Sequence, residues 1–121
     1  MRQWTWIILL AIYAAAIGYV SHQPLNVGEA PFPHFDKLFH LVEFALFMFL
    51  AWQATGRRLL VSWILTLAFA GSDEWHQAII PTRDASMIDF IADFVGASLM
   101  TGLLHRRALL WRFFSTRILG R

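Results

Sequence analysis

The chain has 121 residues, of which 58% are hydrophobic and only 15% charged, and this composition excludes an ordinary soluble domain. The absence of cysteine excludes disulfides, thiolate nucleophiles and sulfur-ligated metals. The formal charge of +2 is small, so the distribution of the basic residues along the chain is more informative than their sum.

Four apolar stretches are long enough to cross a hydrocarbon core of about 30 Å at 1.5 Å per residue. They cover residues 4–20, 38–54, 59–80 and 87–104. We therefore predict an all-α fold, a polytopic membrane bundle of four transmembrane helices. This domain would occupy residues 1–104, and a basic amphipathic tail residues 105–121.

With four spans, every arginine except Arg83 falls on one side of the membrane, and only Arg83 and Lys37 lie toward the other. The positive-inside rule then places both termini and the turn at residues 56–58 in the cytoplasm. All eight acidic residues fall in external loops or in the outer parts of the helices. Any chemistry is therefore expected to face outward.

The first apolar stretch has no ionisable group between Arg2 and His22 and is expected to be scaffold. A cleaved signal peptide is the alternative, although the apolar run is on the long side for one, whose apolar region spans about 7 to 15 residues. Residues 21–35 contain three prolines and are predicted to form an external loop.

The second span opens with Asp36, His40 and Glu43 at spacings that place them on one helix face. Asp36 has an alternative role as an N-cap of the helix. His40 and Glu43 lie about 6 and 10 Å deeper, where capping cannot explain them. These two residues are therefore candidates for a functional site.

The third span carries two adjacent carboxylates, Asp73 and Glu74, where apolar residues would be expected. Only one of them can point straight into a shared site. Glu74 is favoured because it lies three residues before Gln77 and can pair with it on one face. Asp73 and His76 are expected to be peripheral, and the intervening tryptophan is expected to anchor the helix at the interface.

Arg83 lies in a short external loop, close to the mouths of the third and fourth spans. The fourth span begins with the form of a capping box, Ser86 to Asp89, which gives Asp89 a structural alternative. Asp93 extends the same face deeper and has no such alternative. The arginines and aromatic residues of the tail indicate contact with anionic lipid rather than nucleic acid.

Three helices thus bring polar side chains to the same depth of the membrane. A charge exposed to lipid costs about 3 kcal/mol, so these groups are expected to face one another or a wet cavity. Carboxylates outnumber the available cations. This excess suits either proton transfer or a bound cation.

Three spaced motifs distinguish the chain: DKLFHLVEF at residues 36–44, EWHQ at residues 74–77 followed by Pro81 and Arg83, and the group of Asp89, Asp93 and Gly96. Together they resemble the VanZ family of small membrane proteins over residues 36–104. The family usually has Asn where this chain has Asp93. The resemblance implies a helical membrane fold, low-level resistance to glycopeptides such as teicoplanin, and a relation to enzymes that exchange or hydrolyse phospholipid headgroups.

The main hypothesis is an enzyme that acts on phosphate-linked lipid headgroups in the outer leaflet of the bacterial plasma membrane. Its catalytic residues would be His40, Glu43 and Glu74. Its substrate-binding residues would be Lys37, Gln77, Arg83, Asp89 and Asp93. The alternative is a protein without catalysis that binds a cationic or lipid ligand or relays protons.

No cofactor is required by the sequence, but Asp89 and Asp93 offer hard oxygen ligands for a divalent cation. A zinc site built from His40, Glu43 and His76 is a third hypothesis. Membrane lipids are the expected partners, and nucleic acid is not. The oligomeric state is left open.

Overall fold

The computed structural model describes residues 1–23, 34–81 and 85–118, with side chains as far as residue 110. This part of the chain is helical and contains no strand, which confirms the all-α class. The helices, in chain order, are α1 (Gln3–His22), α2 (Phe35–Ala54), α3 (Leu59–Ala78) and α4 (Met87–Ile118). Each predicted span falls on one of them.

The helix boundaries have local causes. The turn between α2 and α3 contains Gly56 and Arg57, with φ of 69° and 68°, a left-handed conformation that breaks a right-handed helix. At the start of α4, the Ser86 hydroxyl accepts a hydrogen bond from the Ile88 N–H at 3.2 Å. α4 then runs without a break through the start of the predicted tail at residue 105 to Ile118.

α2 and α4 cross at very short range. A Cβ atom on Gly96 of α4 would lie 2.1 Å from the carbonyl oxygen of Leu41 in α2, so only glycine fits there. Ala97 is fully buried beside it. Such small residues let two helix backbones approach closely.

An aromatic stack fills the space one to two helical turns beyond this crossing. The rings of Phe47 in α2 and Phe69 in α3 lie 4.6 Å apart and nearly parallel, with Phe44 about 6 Å from each. Ile17 of α1 packs against the same group. We call Phe44, Phe47 and Phe69 the aromatic floor, because in α2 its rings begin about one helical turn after His40, toward the turn at residues 56–58.

Beside this apolar core, several polar side chains are buried while many large apolar ones are exposed, which is unusual for a soluble bundle. The buried polar residues are Ser21, Ser62, Thr66, Asp73, Gln77, Asp89 and Asp93. Large apolar side chains are exposed on all four helices. By length and composition, Gln3–His22 and Met87–Leu110 could each cross a membrane. This distribution is typical of helices surrounded by lipid.

Candidate functional site

A histidine and an aspartate meet where α2 and α4 cross. His40 Nδ1 lies 2.9 Å from Asp93 Oδ1, and the Asp93 side chain is only 1% exposed. The contact depends on the close approach of Leu41 and Gly96, which are one and three residues away in sequence. With Nδ1 held by the carboxylate, the Nε2 atom of His40 is the nitrogen left for other chemistry.

Lys37 lies about one turn before His40 in α2, just before the predicted apolar span, and contacts two carboxylates. Its ammonium donates to Asp89 and lies 2.7 Å from Asp36. The hydrogen bond from Lys37 holds the pKa of Asp36 below its usual value. Burial alone would lower the pKa of Lys37, but its bonds to Asp36 and Asp89 raise it overall. Asp89 therefore binds a lysine across the helix interface instead of completing a capping box.

Glu74 of α3 faces α4. Its Oε2 atom accepts a hydrogen bond from the backbone N–H of Ser86 at 3.0 Å, while its Oε1 atom is buried with no partner among the described residues. One potential ligand atom each from His40, Glu74 and Asp89 lies within 4.8 Å of the others. Side chains from three helices thus converge on one polar cluster.

A second polar group links α1 to α3. Gln77 donates to Asp73 Oδ2 at 2.8 Å, and Ser21 donates to the same atom at 2.9 Å. Gln77 therefore pairs with Asp73 and not with Glu74, so the expected pairing is wrong. The reason is helix geometry, because residues four apart stack on one face and this face of α3 meets α1.

His22 and His76 are an exposed pair that the sequence did not bring together. His22 Nδ1 lies 3.3 Å from His76 Nε2, at the C-terminal ends of α1 and α3. Only the helix packing reveals it, since His22 lies at the start of the predicted loop. His76 is thus turned toward α1, and the predicted zinc set of His40, Glu43 and His76 is not the cluster that the described residues assemble.

The remaining predicted residues are placed as follows. Glu43 is half-buried and interacts electrostatically with His40, Asp73 and Asp93. Its backbone carbonyl accepts a hydrogen bond from the Tyr13 hydroxyl at 3.2 Å. Arg83 lies outside the described residues. Its role as a phosphate ligand therefore stays a prediction.

An open cavity of about 390 Å³ lies beside Glu74, between the C-terminal end of α3 and the N-terminal end of α4. Trp75, Ser86 and Phe90 are among its lining residues. The cavity is mostly apolar, and Glu74 is the member of the cluster that lines it. It is a route by which an amphipathic molecule could approach Glu74.

These features define a class of protein: a helical bundle with an apolar exterior and an internal cluster of one histidine, one lysine and several carboxylates. The chain belongs to the VanZ/LLP1 family, whose model matches residues 2–112. This match confirms the resemblance drawn from the sequence. Family membership and the two long apolar helices together indicate a membrane protein. No curated protein and no solved structure was found to match the chain.

Proposed function

We propose that the protein crosses the plasma membrane four times, with both termini in the cytoplasm and the polar cluster near the outer surface. The apolar exterior of all four helices supports this topology. So does the location of the acidic cluster, which lies at the ends of the helices opposite the basic turn at residues 56–58.

We further propose that this cluster exchanges or hydrolyses phosphate-linked lipid headgroups, with a tie to glycopeptide resistance through the family. The observation that carries the proposal is the His40–Asp93 pair, 2.9 Å apart and next to Lys37. A histidine oriented by a buried carboxylate is a common general base or nucleophile. A lysine beside it supplies charge for a phosphate.

In the proposed reaction an oxygen nucleophile, either water or the hydroxyl of an incoming headgroup, attacks the lipid phosphorus. His40 Nε2 accepts the proton of the nucleophile as the new P–O bond forms. The P–O bond to the original headgroup breaks, and its oxygen takes a proton from Glu74 or Glu43.

The predicted substrate-binding residues would have different roles. Lys37 and Arg83 would hold the phosphate, and Asp89 would hold an amino or hydroxyl headgroup. Asp93 is better described as a positioning residue, because it contacts His40 directly. Gln77 belongs to the group on the α1 side and would act by supporting Asp73.

A non-catalytic role remains the alternative, and the excess of carboxylates favours a cationic ligand in that case. A relay of protons across the membrane is less well supported. The aromatic floor, in which Phe44 is fully buried and Phe47 2% exposed, lies inward of His40 and offers no titratable group.

Reconstitution into vesicles with phosphate-labelled phospholipids tests the proposal. Replacing His40 by Ala should lower headgroup turnover by about 100-fold or more, the usual contribution of a general base. His22→Ala is the matched control, because His22 is an exposed histidine at the α1 end. Equal turnover in the wild-type and His40→Ala proteins, or no turnover in the wild type, would refute the catalytic assignment.

A further inference from the structure

Three side chains from three different helices converge as metal ligands would. One potential ligand atom each from His40 in α2, Glu74 in α3 and Asp89 in α4 lies within 4.8 Å of the other two. No two of them are neighbours in sequence, so the grouping is produced by the helix packing. His40 is half-buried, as is Glu74, and Asp89 is 7% exposed.

The cluster also contains buried carboxylate oxygens without partners. Glu74 Oε1 has none among the described residues, and neither has Asp93 Oδ2, which belongs to a side chain that is 1% exposed and bonded to His40. Buried polar atoms in native proteins nearly always have a partner. These two unpaired carboxylate oxygens indicate that the site binds a further ligand.

Each of the three side chains has one polar atom already bonded, which leaves a second atom available for a metal. Asp93 holds His40 Nδ1, the Ser86 N–H holds Glu74 Oε2, and Lys37 holds Asp89 Oδ1. A ligating histidine usually has its second nitrogen bonded to a carboxylate, which fixes the ring and its tautomer. The His40–Asp93 pair has this arrangement.

Charge favours a cation at the same place. The described part of the cluster contains the carboxylates Glu43, Glu74, Asp89 and Asp93, and the one fixed cation that contacts any of them is Lys37. A divalent ion would offset two of these negative charges. Buried carboxylates are normally paired with a cation or coordinate a metal.

We infer that His40, Glu74 and Asp89 bind a divalent first-row transition metal such as Zn²⁺ or Mn²⁺. One imidazole nitrogen and two carboxylate oxygens suit these ions better than Mg²⁺ or Ca²⁺, which favour oxygen alone. Three protein ligands leave a coordination position open for water or a phosphate oxygen, as in catalytic metal sites.

Binding of the metal does not depend on lipid chemistry, whereas its catalytic consequence rests on the proposed function. With a metal on Nε2, His40 is a ligand, and a metal-bound water or headgroup hydroxyl replaces the imidazole as the activated group. Whether the site binds a metal is tested separately from whether the protein acts on lipids, by measuring metal binding without lipid substrate. Headgroup turnover is then measured on the same samples.

The experiment uses the full chain, purified in detergent, stripped with a chelator and titrated with Zn²⁺ or Mn²⁺ in excess Mg²⁺. We expect one bound ion per chain by elemental analysis and a metal-dependent rise in melting temperature. Glu74→Gln and His40→Gln should each weaken binding at least 10-fold. Asp93→Ala should weaken it 10- to 100-fold, because it removes the acceptor that orients the histidine.

Asp36→Asn is the matched control, since it removes one exposed carboxylate next to the cluster but outside the ligand set. This variant should bind the metal as the wild type does, and circular dichroism should show that all variants remain helical. Absence of a bound ion in the wild type overturns the inference. So does an equal loss of affinity in the Asp36→Asn and Glu74→Gln proteins, which would indicate general charge attraction only.

Discussion

Replacing Gly96 by Ala should separate the two helices that carry the candidate site. The added methyl carbon would lie 2.1 Å from the Leu41 carbonyl oxygen and 2.9 Å from the Leu41 carbonyl carbon. Real Cβ atoms keep at least 3.0 Å from such neighbours, so the contact must lengthen by about 0.9 Å. Because the obstacle is backbone, no rotamer change can relieve it, and α2 and α4 must move apart.

The expected cost follows from two opposing effects. Overpacking of this kind typically destabilises by about 1 to 3 kcal/mol, and a clash with backbone belongs at the upper end of that range. Alanine has a better helix propensity than glycine and returns about 1 kcal/mol. The net loss in the free energy of unfolding should therefore be about 2 kcal/mol. The same movement would stretch the 2.9 Å His40–Asp93 contact to about 3.8 Å, beyond hydrogen-bond range.

Thermal unfolding in detergent, followed by tryptophan fluorescence, measures the effect on stability. Gly102→Ala is the control in the same helix, because its Cβ would meet nothing within 4 Å. This control should leave the melting temperature unchanged or slightly raised, and it should keep metal binding and headgroup turnover. Gly96→Ala should lower the melting temperature, the metal affinity and the turnover. The reasoning fails if the two alanine variants unfold at the same temperature and retain the same metal affinity.

Three further predictions concern the polar contacts. Ser21→Ala should cost about 1 kcal/mol of unfolding free energy in thermal melts, since Asp73 loses a buried donor; an unchanged melting temperature would contradict this contact. Because Lys37 lowers the pKa of Asp36, the ion pair stabilises the fold above the usual pKa of 3.8, and this contribution is lost as the pH falls below it. The difference in melting temperature between wild type and Asp36→Asn should therefore be small, given the exposed carboxylate, and should close in acid; a difference that widens there would refute the assignment. Asp93→Ala should be about 1 to 3 kcal/mol less stable than Asp93→Asn in chemical unfolding, because only Asn still accepts from the imidazole.

Much of the site could be predicted from local sequence. Helix periodicity, and the free-energy cost of placing a charged side chain in lipid, can both be assessed within a single segment. His40 followed from its spacing to Asp36 on one face of an apolar helix, and Asp93 from its depth in the fourth stretch. Both conclusions need only the rise and the period of a helix. The structure places these two residues in contact.

The partners of individual side chains could not be predicted in the same way. The pairing of Gln77 with Asp73 depends on α1 lying against that face of α3, and the contact of His22 with His76 depends on the relative heights of the two helices. Both are set by packing between segments far apart in sequence. The close approach at Gly96 is of the same kind, because a glycine in a membrane helix does not itself reveal what packs on it.

The aromatic floor bears on where the proposed enzyme would find its lipid. Phe44, Phe47 and Phe69 pack together on the side of His40 toward the turn at residues 56–58. In the proposed orientation this is the cytoplasmic side, so a lipid would enter and leave the cluster from the outer leaflet or through the lateral cavity beside Glu74. In a sealed vesicle a protein of this build would draw lipid from a single leaflet. The other leaflet, about half of all the lipid present, would serve as a reserve that becomes substrate only as fast as lipids flip.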